Sequence, residues 1–81
     1  MSEYDKPEKY KVIKKGLIKL GLEYRHGSNH DVATCPETGH KTTIPRHGSK
    51  TLNKYTVGSI YDFLVINGFN EEEIKKALGW K

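Results

Sequence analysis

The chain is poor in the residues that staple, bend or span. Its 81 residues include one cysteine, three prolines, one methionine and one tryptophan. A lone Cys35 excludes an internal disulfide, which fits a reducing cytoplasm. No apolar run approaches the roughly 18 residues that cross a bilayer, so no membrane partner is expected. Met1-Ser2-Glu3-Tyr4-Asp5 lacks the apolar stretch of a signal peptide, which points to a cytoplasmic location. Internal repeats, low-complexity segments and interdomain linkers are missing too.

What remains fits one domain over residues 1–81, since two cores do not fit in this length. A chain this short buries only about 60–65% of the surface its unfolded state exposes. A core that thin argues against a large enclosed active site and for a surface site. The formal charge is +4 and the pI is near 9.2. Such basicity permits nucleic-acid binding without requiring it.

Asp5 and Glu8 stand three apart, as in a helix capping box, with Pro7 in the first turn. Tyr10, Ile13, Leu17 and Leu20 recur at helical spacing, and Gly21 reads as the stop. Lys9, Lys11, Lys14, Lys15 and Lys19 fall largely off that stripe and read as a solvated face. Leu22–His26 is a strand candidate with Leu22 and Tyr24 on one face. His30–Cys35 and His40–Ile44 follow, joined by the Pro36-Glu37-Thr38-Gly39 loop and ended by Pro45. Arg46–Tyr55 reads as a polar, basic loop. Val57, Ile60, Tyr61 and Leu64 mark a second helix stopped by Gly68. Asn70 and Glu73 form another capping pattern, opening a short helix over 70–78. The order is α-β-β-β-α-α. It predicts an α+β fold, a three-stranded antiparallel sheet with helices on one face and the other face open.

Gly27-Ser28-Asn29-His30 is the stretch richest in chemistry. Histidine titrates near neutral pH and can take and return a proton in one cycle. A glycine turn beside it lets a ligand's backbone come close, so the pair suits an anionic substrate. A zinc site drawn from His26, His30, Cys35 and His40 is the metal alternative. Only His26-x₃-His30 has ligand-like spacing, and Cys35 reads more simply as a small buried residue. Among the aromatics, Tyr55 stands in the basic loop beside Lys50 and Lys54, where it could stack on a base.

Several pieces in order resemble the HicA-type toxins, the small mRNA interferases of toxin–antitoxin systems. They are Leu20-Gly21-Leu22, Gly27-Ser28-Asn29-His30, Pro36-x-x-Gly39, Thr43-Ile44-Pro45-Arg46-His47 and Thr56-Val57-x-Ser59-Ile60, covering about residues 8–68. Residues 70–78 extend past that core. The resemblance implies a double-stranded-RNA-binding-like α-β-β-β-α fold and cleavage of single-stranded mRNA. It also implies neutralisation by a HicB-type antitoxin, and no cofactor. Many members read Gly-Ser-His. The Gly-Ser-Asn-His form also occurs, and on it the catalytic role is carried to His30. The substrate's 2′-hydroxyl is the nucleophile, so Ser28 is a turn-former or phosphate donor. Gly27, Ser28, Arg25, Lys41, Arg46, His47, Lys50 and Lys54 are the expected RNA-binding residues. Arg46 is the preferred phosphate partner because guanidinium meets phosphate with two parallel hydrogen bonds. His47 is a candidate for a second proton transfer. Two other readings stay open: a non-catalytic RNA-binding or antitoxin-docking module, and a zinc-stabilised domain.

Overall fold

The structure, a computed structural model, describes residues 7–45 and 51–80. Its elements run β1 (Glu8–Lys9), α1 (Tyr10–Lys19), β2 (Glu23–Arg25), β3 (His30–Thr34), β4 (Lys41–Pro45), β5 (Thr51–Leu52), α2 (Lys54–Ile66) and α3 (Glu71–Leu78). The expected three-stranded antiparallel sheet is present, in the order β2-β3-β4, together with three helices.

Two local expectations are corrected. Glu8 is not a capping residue inside a helix. It lies in β1, pairs with Leu52, and α1 begins only at Tyr10. The Glu8 carboxylate instead accepts from the Lys9 backbone and from Trp80 Nε1, at 2.7 Å each. Asp5, the other half of that predicted box, lies outside the described residues. The segment read as a basic loop carries regular structure in its second half: Thr51–Leu52 pairs with β1, and Lys54 and Tyr55 open α2.

The helix ends follow the sequence. α1 and α2 close at Gly21 and Gly68, with φ of 89° and 95°. At each, the glycine N–H and the next N–H return to the last helical carbonyls, which side chains with a Cβ rarely permit. Asn70 and Glu73 form the capping box that opens α3. α3 is part of the core: Ile74 is fully buried, and Leu78 lies against Gly16 of α1.

Pleat decides what each sheet face carries. Tyr24, Asp31, Ala33, Thr42 and Ile44 share the face toward the helices, where Asp31, Ala33 and Ile44 are wholly buried. Arg25, His30, Val32, Thr34, Lys41, Thr43 and Pro45 share the other face, and none of these is buried.

Candidate functional site

The open face is built around the N-terminal end of β3. His30 is exposed and pairs with Pro45. Val32, two residues on, stands between Arg25 and Thr43. Arg25 is therefore a diagonal neighbour of His30, about 7–8 Å away between backbones and within reach of a long side chain. Lys41 pairs with Thr34, about 13 Å along the strand from His30, at the far end of the same face. A groove of about 310 Å³ borders the face, lined by Thr43 and Pro45 of β4 and by Tyr55, Thr56 and Ser59 of α2.

The turn that presents His30 is tight. A Cβ placed on Gly27 would meet the His30 carbonyl oxygen at 2.1 Å, so only glycine fits there. Ser28 and Asn29 are exposed at its tip.

On the helix side of the same hairpin end lies a cluster that sequence reasoning missed. Asp31 is 0% exposed. Its Oδ2 accepts from the Tyr10 hydroxyl and, at 2.7 Å, from the Tyr24 hydroxyl. Its Oδ1 lies 3.1 Å from His26 Nδ1. The other ring nitrogen, Nε2, lies 3.0 Å from Lys14 Nζ. Lys14 also sits 5.8 Å above the Tyr24 ring, and that ring meets His26 edge-on. Burial, with the Asp31 hydrogen bond next, holds the Tyr24 phenol far above its ordinary range, so it remains a neutral donor. The sequence did carry a signal: Tyr10 and Tyr24, both on predicted inward stripes, are large apolar groups with polar tips that need a buried partner.

The structure thus brings together His30, Arg25 and the Gly27-Ser28 turn, with Lys41 farther along the face. Lys54 is not with them in a loop. It stands in the first turn of α2, 5.2 Å from the ring of Tyr55, which is 76% exposed. Arg46, His47 and Lys50 lie outside the described residues. The candidate zinc ligands are not gathered. Among the described residues no group of three or more His, Cys, Asp or Glu could hold a metal. Cys35 is buried after β3, and His40 Nδ1 is 3.0 Å from Asn67 Oδ1. No helix among the described residues is long and apolar enough to cross a membrane. Compared with family models, curated proteins and solved structures, the chain matches none.

Proposed function

We propose that this chain is a ribonuclease similar to the HicA-type toxins. It cleaves single-stranded mRNA by histidine acid–base catalysis and is neutralised by a HicB-type antitoxin. The carrying observation is His30, exposed on the sheet face turned away from the helices, with Arg25 diagonal to it. The proposal includes the double-stranded-RNA-binding-like class for the α+β frame.

The chemistry needs little. The 2′-hydroxyl of RNA attacks the adjacent phosphorus, and one histidine that takes or gives a proton contributes typically about 10²–10⁴-fold. Arg25, beside the Gly27-Ser28 turn, faces the developing phosphorane charge. Bases stack at the rim on Tyr55, and Lys41 tracks the strand's phosphates.

One observation favours a second reading. The His30 imidazole has no side-chain partner among the described residues to orient it, which suits an RNA-binding module without catalysis. Expression in a bacterium separates the two. Wild-type chain is expected to arrest growth, and His30→Ala to relieve the arrest while its circular dichroism stays native. Purified wild type is expected to cut RNA in the presence of a chelator. Normal growth with abundant folded wild type sinks the toxin reading. RNA binding without cleavage selects the module.

A further inference from the structure

The groove between β4 and α2 is lined by Thr43, Pro45, Tyr55, Thr56 and Ser59, and none of the five is charged. A phosphate has no cation to meet there. The lining offers instead two flat apolar rings, of Pro45 and Tyr55, and three hydroxyls that can each donate or accept. Of the parts of a ribonucleotide, only the base has an apolar face and a polar edge. A volume of about 310 Å³ is at the small end of the range for ligand sites, which suits one nucleoside.

Local structure fixes this lining. Thr43 and Pro45 stand two apart on β4 and share the open face. Tyr55 and Ser59 stand four apart on α2 and share one stripe of that helix. The Asn53 side chain accepts from the Thr56 backbone at 2.9 Å, which caps the first turn of α2. The hydroxyls of Thr43, Thr56 and Ser59 have no hydrogen-bond partner among the described residues, and the Tyr55 ring is exposed. A ligand therefore displaces no internal bond.

Position relative to His30 carries the rest. Arg25, His30 and Pro45 lie on β2, β3 and β4, three successive strands of one face. His30 and Pro45 are direct partners, with Cβ atoms about 5 Å apart. Across the face the order is cation, proton-transfer group, groove. A ribonucleotide has the matching order of phosphate, 2′-hydroxyl and base. C2′, which bears the attacking hydroxyl, is bonded directly to C1′, which bears the base. The base of the following nucleotide is set back from the leaving 5′-oxygen by C5′, C4′ and the ring oxygen. The groove beside His30 is thus matched to the base on the 5′ side of the cut.

We propose that this groove is a base-binding subsite for the nucleotide whose 2′-hydroxyl attacks, with Tyr55 stacking on the base and Thr43, Thr56 and Ser59 reading its edge. This rests on the ribonuclease reading above and adds where along the RNA the sequence is read. The base enters only when unpaired, because a helix hides the same edge and faces.

The test is single-turnover cleavage of a short fluorescent RNA by the full chain. The cut is mapped, and the substrate is remade with an abasic ribose on either side of it. Removing the base on the 5′ side is expected to lower kcat/KM about 5–150-fold, the range for one stacked base. Removing the base on the 3′ side is expected to have less effect. Tyr55→Ala, at an exposed side chain, is expected to keep a native circular dichroism spectrum and to lose a similar factor on intact RNA. The two losses are not expected to multiply when the variant meets the 5′-abasic RNA. Ser59→Ala and Thr43→Val are expected to change the ranking of the four bases at the 5′ position. Equal cleavage of intact and 5′-abasic RNA overturns this inference and leaves the ribonuclease reading standing, as do losses that multiply. Wild type that cuts no RNA overturns both.

Discussion

Asp31 is a carboxylate taken wholly out of water, and an ion in that position costs several kcal/mol unless its oxygens are bonded. Tyr10, Tyr24 and His26 supply those bonds. Tyr24 has a measurable consequence. Its folded-state pKa is raised above the unfolded value near 10, burial being the largest cause. The proton is therefore bound more tightly in the folded chain. That stability is fully present below about pH 10 and falls as pH climbs beyond it. Tyr24→Phe is expected to lose about 1–3 kcal/mol at pH 7, since a buried acceptor loses a donor. It is also expected to flatten the loss between pH 9 and 11, read as urea midpoints. An unchanged alkaline slope in the variant would assign that slope to other groups. At this scale the sequence misleads through hydropathy. Val32 is the natural inward residue of its strand, yet the pleat turns Asp31 and Ala33 inward and leaves Val32 on the open face. A one-residue change of phase does that, and burial of Ala33, Cys35 and Ile44 together with the donors to Asp31 holds it. Places where pattern and structure disagree in this way are where functional sites are expected.

Among the elements, α1 and α3 meet where a side chain is missing. A Cβ on Gly16 would stand 2.3 Å from Leu78 Cδ2 and 3.3 Å from the Ala77 carbonyl oxygen. Gly16→Ala has two opposed effects. Helix propensity favours alanine by about 1 kcal/mol, while forcing extra volume into a packed contact costs about 1–3 kcal/mol. The net expectation is destabilisation by about 1 kcal/mol, read from urea unfolding. Leu78→Ala should lose less in the Gly16→Ala background than alone, because the new methyl fills part of the space Leu78 leaves. Additive effects would mean that the two residues do not share this contact. The elements themselves were largely legible, because helical periodicity, Gly21, Gly68 and the Asn70–Glu73 box are local signals. The β1–β5 pairing was not. Two residues give no alternation to read, and Glu8–Lys9 and Thr51–Leu52 acquire strand character only by meeting across more than forty residues of chain.

For the whole molecule, the question is which basic surface RNA would use, because a charge of +4 does not choose between faces. α1 presents exposed Lys11, Lys15 and Lys19, and the open sheet face presents Arg25 and Lys41, with Lys54 on α2. The three α1 lysines recur every fourth residue along one helix stripe, and none of them lines the groove that holds Tyr55. The open face has Tyr55 at its rim and His30 within it. If Arg25, Lys41 and Lys54 each neutralise one phosphate, affinity for single-stranded RNA falls with salt at a log–log slope of about −2, three contacts at about 0.7 each. Arg25→Ala and Lys41→Ala are each expected to make that slope shallower by about 0.7. Lys11→Ala, Lys15→Ala and Lys19→Ala are expected to leave it unchanged. Fluorescence anisotropy of a labelled oligonucleotide between 50 and 300 mM salt (roughly the range over which such contacts are screened) reads all five variants. The reverse pattern, with the slope carried by the α1 lysines, would move the RNA to the helical side and leave the open face without its ligand.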